Sequence, residues 1–463
     1  MFLIYFLAFI VNTKICWSYL VLPFDDSFQV PLPGPPNFKD VGEPLILTPY
    51  IKSNQISKAR ELSSVESLLN DKPIVSNSGY FTVDEKYNSN LFFWFFRKNS
   101  SDWQKAPLIL WLQGGPGCSS MYGLFEEHGP FEITEDGLNE RNYSWANHYN
   151  VLYIDQPVGT GFSFTNSSDG YVSTQTEVAH HLYEALTQFF RLYSELKNNA
   201  LYIAGESYAG RFIPSISYKI HNSNKLAYYP TINLKGLFMI SASTNGGENG
   251  LAKFYFQIGV IDSQTRTELE ILEQTLQFCI SSKFWTAATL TRSALLQGIQ
   301  LKSGIDFYDF TKTLAARISD KYVPFLNESS TRKKIHVGNA IFSSCHSDKT
   351  VYKHLIEDIS TSALPYIEDL LDHYPIAFVG GQYDAVVAYP VVVNVLENLN
   401  FTGAPYYKTA KRRILGGENL DGYYKSGGNL KDILIRNAGH MVPHDQPRAT
   451  LDLLHKFVND ELW

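Results

Sequence analysis

An α/β fold, with a largely parallel sheet covered by helices on both faces, is what the sequence predicts. Short apolar runs recur at 107–112, 151–155, 201–204, 236–240, 376–381 and 432–436, and most of them break abruptly into glycine-rich loops. A helical period over 174–196 separates two of these runs. Strands that alternate with helices are joined by crossovers, so neighbours run parallel and each strand is buried on two faces. Such sheets bind their ligands at the carboxyl ends of the strands, where the loops gather.

Residues 2–11 are apolar but too few to span a bilayer, and the small Ser18 follows a short spacer. Residues 1–18 therefore read as a signal peptide cut near Ser18, and 19–463 as a single domain. After its removal no segment is apolar enough to cross a membrane, and the protein is expected in the secretory pathway, secreted or lysosomal. That route gives meaning to the sequons at Asn99, Asn142, Asn166, Asn327 and Asn400. Cys16 leaves with the leader, and Cys118, Cys279 and Cys345 then imply one disulfide and one thiol outside it. With a formal net charge of −7 and no basic stripe, the chain is no candidate for nucleic-acid binding.

From 19 to 45 the chain is irregular, with Pro31, Pro33, Pro35 and Pro36 blocking helix and sheet interiors alike. Two β-rich runs, 78–83 and 90–97, flank a polar turn and predict an antiparallel hairpin. The run 107–112 ends in Gln113-Gly114-Gly115-Pro116-Gly117-Cys118-Ser119-Ser120, a glycine loop that brings backbone N–H groups close to whatever binds there. The run 151–155 breaks in the same way. The helix that follows carries Val178, Leu182, Leu186, Phe189 and Phe190 on one face. Beyond 236–240, Leu269, Leu272, Leu276 and Ile280 recur at helical spacing and strand-like runs are scarce, so residues 245–345 read as a helical lid inserted over the site.

The chemistry centres on Leu201-Tyr202-Ile203-Ala204-Gly205-Glu206-Ser207-Tyr208-Ala209-Gly210-Arg211. An apolar run breaks at a glycine and resumes as a helix, with Ser207 at the tip of the turn and small residues at Gly205 and Ala209 letting strand and helix close on it. A serine hydroxyl is too weak an acid to attack a carbonyl unaided; it needs a histidine base, itself oriented by a carboxylate. Of the 12 histidines, most fall in or beside helical patterns. His128, His148 and His346 lie near loops, while His440 follows the last sheet run within Asn437-Ala438-Gly439-His440-Met441-Val442-Pro443, with His444 farther along. Asp384, just past the 376–381 run, is the leading acid, and Asp155 and Asp445 compete with it. The order Ser207, Asp384, His440 is that of α/β-hydrolases.

Four blocks also resemble, in order, the signature blocks of serine carboxypeptidases. They are 113–120 as spelled above, Asp155-Gln156-Pro157-Val158-Gly159-Thr160-Gly161-Phe162-Ser163, Gly205-Glu206-Ser207-Tyr208-Ala209-Gly210, and Gly439-His440-Met441-Val442-Pro443. The resemblance runs from about Leu45 to the C-terminus and is nearest to the vitellogenic-like branch, through 45–51, 257–259 and 334–339. It implies an α/β-hydrolase with a mostly parallel central sheet, an N-terminal antiparallel hairpin and a helical lid. Ser207 would be the nucleophile, His440 the general base and then acid, and Asp384 its orienter. The amides of Gly115 and Tyr208 would form the oxyanion hole. Gln113, Glu206 and Glu127 would grip the substrate's terminal carboxylate. It further implies no metal or cofactor, and a disulfide between Cys118 and Cys345 that leaves Cys279 over. Two places depart from the family pattern: Gln113 stands where asparagine is commonest, and Ser241-Ala242-Ser243-Thr244-Asn245 stands where a Gly-Asn-Gly turn is usual.

Carboxyls can bind a carboxylate only while a proton is present, since two adjacent carboxyls do not both ionise cheaply and a protonated one donates a hydrogen bond. The expected activity is therefore release of C-terminal residues from peptides or proteins through an acyl-enzyme, strongest in mild acid. An acyltransferase on the same scaffold, or a non-catalytic secreted binding protein, is the alternative, and a homodimer is left open. No Cys/His cluster has zinc spacing and no phosphate-binding G-x-x-x-x-G-K-[ST] loop occurs, so metallopeptidase and nucleotide-hydrolase readings lack support.

Overall fold

The computed structural model of the protein describes residues 40–69, 74–226, 231–247, 249–314, 320–345 and 349–461. The expected leader with Cys16, the prolines at 31–36 and the candidate His346 lie outside these residues.

Along the chain the strands are β1 (Ser64–Val65), β2 (Ser76–Asp84), β3 (Ser89–Phe96), β4 (Leu108–Leu112), β5 (Phe131–Thr134), β6 (Gly137–Glu140), β7 (Asn150–Ile154), β8 (Leu201–Glu206), β9 (Leu234–Ile240), β10 (Ile376–Gly381), β11 (Arg413–Leu415), β12 (Gly422–Gly427) and β13 (Leu430–Ile435). One 11-stranded sheet has the order β1-β2-β3-β7-β4-β8-β9-β10-β13-β12-β11, and β5 pairs only with β6. From β7 across to β13 every neighbour is parallel. The β2–β3 hairpin and the β11–β12 pair add antiparallel margins.

The central strands are buried along their whole length, which is why they read as unbroken apolar runs. Alternation then sorts their side chains: Leu108, Leu110 and Leu112 of β4 enter one core, Ile109 and Trp111 the other. On the first face lie α1 (Gln175–Leu192) and α2 (Ala209–Asn224). Thr174 caps α1 and Glu177 reaches back to complete a capping box, so the helix starts where the sequence predicts. It stops four residues short of the expected end, at Leu192, and a 3-10 turn takes over at Ser194–Leu196.

Between β9 and β10 come α3 (Leu251–Gln257), α4 (Ser263–Ser281) and α5 (Trp285–Ser303). Leu251, Tyr255, Leu269, Leu272, Leu295 and Ile299 form a small core of their own, closed by Ala385, Ala388 and Val391 beyond β10. Next, α6 (Leu364–Leu371) buries Ile367, Leu370 and Leu371 with the apolar face of α2. The opposite sheet face is covered by α7 (Pro447–Val458), through Leu451, Leu453, Leu454 and Phe457. Cys118 and Cys345 form a disulfide across 227 residues, and the buried Cys279 stays outside that bond. No helix among the described residues is long and apolar enough to cross a membrane.

Candidate active site

Ser207 stands between the end of β8 and the start of α2 at φ +62°, the left-handed region that side chains other than glycine's enter at a cost of about 1–3 kcal/mol. Three backbone bonds hold it there: its N–H donates to Ile240 O at 3.0 Å, and its carbonyl accepts from Ser243 N at 3.0 Å and Gly210 N at 2.9 Å. The turn is tight because strand and helix nearly touch. A Cβ at Gly205 would lie 2.2 Å from Leu112 O, and one at Gly114 would lie 2.6 Å from Tyr208 N and 2.7 Å from Ser207 Cβ. The glycine loop after β4 is therefore laid directly on the nucleophile turn. Among the described residues no backbone partner is found for the amides of Gly115 and Tyr208, which suits them to a developing oxyanion.

Asp384 and His440 come from the loops after β10 and β13, neighbouring parallel strands. Asp384 Oδ1 accepts from the amides of Val386 and Val387 at 3.0 and 2.9 Å, which turns Oδ2 towards His440 Nδ1, 2.8 Å away. Both side chains are buried, at 1% and 2% exposure, so the pair is shielded from water. With Nδ1–H donating to the carboxylate, Nε2 carries the lone pair of a general base, and it has no hydrogen-bond partner among the described residues. The end of β9 ties this pair to the serine. Ile240 accepts from Ser207 N, and Ser241 next to it donates its hydroxyl to His440 O at 2.8 Å.

The competing candidates go elsewhere. Asp155 is fully buried, and burial pushes its carboxyl up to about 6, but its oxygens are taken by Ser119 Oγ, Ser120 N and Phe162 N; it clamps two loops and orients no histidine. Asp445 accepts from Gly439 N at 2.7 Å and faces Lys312. His128 stacks on Trp145 with ring centroids 3.9 Å apart, its Nδ1 facing Tyr153 OH, and burial holds it well below the usual imidazole range. His148 packs on His455, and His444 bonds Glu126 O.

Beside the serine, Gln113, Glu127 and Glu206 converge. Gln113 directly follows β4, Glu206 ends the adjacent β8, and a π-helical turn at Gly123–Glu127 delivers Glu127. Gln113 Nε2 donates to Glu206 Oε1 at 3.0 Å and to Glu127 Oε1 at 3.4 Å. Burial, and then the neighbouring Glu127 carboxyl, raise Glu206 well above the ordinary carboxylate range, and burial raises Glu127 as well. The pair therefore keeps a proton well above the pH at which free carboxyls lose theirs. The two carboxyls also hydrogen-bond each other, so a proton is held between them.

Two contributors are not visible in the sequence. Trp111 Nε1 donates to Gln113 Oε1 at 2.9 Å, which fixes the amide so that its nitrogen faces the carboxyls. From the insertion between β9 and β10, Tyr308 O accepts from His440 N at 2.7 Å and Phe307 O accepts from Ala385 N and Val386 N, so one short segment splints the acid loop to the histidine loop. Trp111 alternates like any core residue, and Tyr308 lies in a stretch whose loops carry no pattern. The disulfide is formed between the two cysteines that the resemblance pairs.

A serine in a strained strand-to-helix turn, on a mostly parallel sheet whose later strand ends carry an imidazole backed by a buried carboxylate, makes this an α/β-hydrolase. Comparison then narrows the class. The serine carboxypeptidase family model matches residues 69–460. The venom serine carboxypeptidase of Apis mellifera is 40% identical over 91% of this chain and 92% of that protein. For the vitellogenic carboxypeptidase of Aedes aegypti the identity is 38%, over 90% of each. Kex1(Δ)p, a prohormone-processing carboxypeptidase from Saccharomyces cerevisiae, shares the fold, with a TM-score of 0.74 at 23% identity over 87% of this chain and 96% of that one. The chain belongs to the serine carboxypeptidase family.

Proposed function

We propose that this chain removes single residues from the C-termini of peptides, with Ser207, His440 and Asp384 as its catalytic residues and the Gln113–Glu127–Glu206 cluster as its reader of the free carboxylate. The observation that carries this reading is the cluster's position: two buried carboxyls share a site with one amide, one strand-end from the nucleophile. A peptide's terminal carboxylate enters beside this pair and accepts the hydrogen bond of a protonated carboxyl. Gln113 has spent both amide hydrogens on the pair, so it orients the carboxyls more than it grips the substrate.

With the terminus anchored, the last peptide carbonyl lies over Ser207. Ser207 Oγ attacks its carbon while His440 Nε2 takes the hydroxyl proton, and the imidazolium is stabilised by Asp384. The oxyanion is met by the amides of Gly115 and Tyr208. His440 then returns the proton to the leaving amine, the terminal amino acid departs, and water, deprotonated by the same nitrogen, releases the shortened peptide from Ser207. Because the carboxylate is held only while the pair keeps a proton, activity is lost as pH rises through the raised carboxyl range.

A pair of peptides that differ only in a free or amidated C-terminus tests this directly. The free acid is cut with kcat/KM at least about 100-fold above the amide, since a buried hydrogen-bonding site left unmatched discriminates strongly. Equal rates would make the chain an endopeptidase or general esterase.

A further inference from the structure

Far from the carboxyl cluster, three side chains of quite different sequence origin meet. His221 lies in the last turn of α2, Asp369 lies in α6, and His373 follows four residues on, just past the end of α6. One ligand atom from each lies within 4.8 Å of the others. We propose that His221, Asp369 and His373 form a binding site for a divalent transition-metal ion.

His221 is the fixed member. It is 8% exposed, its Nδ1 stands 2.9 Å from Tyr374 OH, and its Nε2 is buried with no hydrogen-bond partner among the described residues. A buried ring nitrogen left without a partner costs about 1–3 kcal/mol, which a bound ion would recover. The hydroxyl on Nδ1 is the kind of outer contact that sets the tautomer and ring plane of a metal-bound imidazole. Asp369 and His373 are exposed and free to rotate. That freedom is needed, because ligand atoms of a tetrahedral zinc with bonds of about 2.0–2.1 Å stand roughly 3.4 Å apart. The His373 ring now stacks on His221 at 4.4 Å between centroids, so metal entry swings it out of the stack.

Two imidazoles and one carboxylate select zinc, copper or nickel over magnesium or calcium, whose sites are built of oxygen. Water completes the shell. The site stands about 18 Å along α2 from the end that carries Ser207, at a rise of 1.5 Å per residue, so the ion takes no part in peptide hydrolysis. It clips the far end of the nucleophile helix to the turn between α6 and β10, and its binding is linked to stability of the whole domain. The spacing of these residues in the chain matches no zinc motif, because one ligand comes from a separate helix.

The test is titration of the untagged protein with ZnCl2 at about pH 7, by calorimetry and by thermal unfolding. One ion per chain binds with micromolar affinity and raises the melting temperature. The exposed substitution His373→Ala, which leaves folding and peptidase activity intact, weakens binding at least about tenfold and removes the thermal shift. Tyr374→Phe weakens it by about tenfold through the outer contact. Binding of equal strength in His373→Ala and Asp369→Asn would overturn the proposal, as would no binding to the unaltered protein at about 100 µM Zn2+.

Discussion

Gln113 Nε2 and Glu206 Oε1 stand 3.0 Å apart, and the same amide reaches Glu127 Oε1 at 3.4 Å. One neutral side chain thus spans two buried carboxyls that cannot both be ionised without strong repulsion, and the site is fully formed only while it holds a proton.

The pH dependence follows from the sign of that shift. Burial and then Glu127 raise Glu206, so its protonated form persists through mild acid and is lost as pH climbs through the raised value. On a peptide with a free C-terminus, kcat/KM holds from about pH 5 and falls as pH climbs past about 8, to which the Glu127 carboxyl is raised. Stability moves the same way: a carboxyl whose folded pKa lies above its unfolded one stabilises most below the ordinary carboxylate range and loses that contribution as pH rises. Melting temperature therefore falls by a few degrees between those limits. Glu127→Gln removes the charge that raises Glu206 and shifts the alkaline limb of the rate profile to lower pH.

Trp111 acts on binding through Gln113. Trp111→Phe keeps the aromatic core contact and loses the indole N–H that fixes the amide. A hydrogen bond of about 1 kcal/mol corresponds to roughly fivefold in KM with kcat within about twofold, read from initial-rate kinetics on a free-acid peptide.

Ser241 occupies a left-handed position, at φ +43°, and its hydroxyl donates to the carbonyl of His440. Ser241→Ala keeps the backbone strain and loses the bond, lowering stability by about 1 kcal/mol in urea unfolding. Ser241→Gly relieves the strain, of order 1–2 kcal/mol, and recovers that stability. Both lower kcat several-fold, because the histidine loop has lost a tether, and only the stability differs between them.

The sequons divide in the same way. Asn99, Asn142, Asn166 and Asn400 are exposed, whereas Asn327 is half-buried, donates its amide to Val323 O and accepts from Arg332. Mass spectrometry of peptides from protein made in a eukaryotic secretory host finds glycans among the first four and Asn327 bare.

Much of this site was legible because its members sit where core strands end. Ser207, Asp384 and His440 each follow an apolar run, and an apolar run broken by glycine is a strong local pattern. Glu206 ends one strand and Gln113 follows its neighbour, but only the family resemblance singled them out, since strand order is not written in local periodicity. Trp111 and Tyr308 were not legible, the one because a core indole hides its polar edge, the other because it acts through a backbone carbonyl. The margins β11 and β12 escaped for a related reason: half-buried, polar strands near the sheet margin, such as Tyr423-Tyr424-Lys425-Ser426, lack the apolar run that marked the centre. The candidates His128 and Asp155 lay near loops, as functional residues do, yet Asp155 is taken up by loop hydroxyls and amides and His128 by ring stacking on Trp145.

The account depends on one act, the removal of a proton from Ser207 by an imidazole that Asp384 holds in place. A fluorophosphonate that traps activated serines measures it, with the modified residue located by peptide mass spectrometry and the labelling rate compared between the unaltered protein and Asp384→Asn. The prediction is a single adduct on Ser207, forming about 10³–10⁴-fold more slowly when Asp384 is asparagine, because the imidazole then presents the wrong nitrogen. An adduct on another residue, or an unchanged rate in Asp384→Asn, would contradict it.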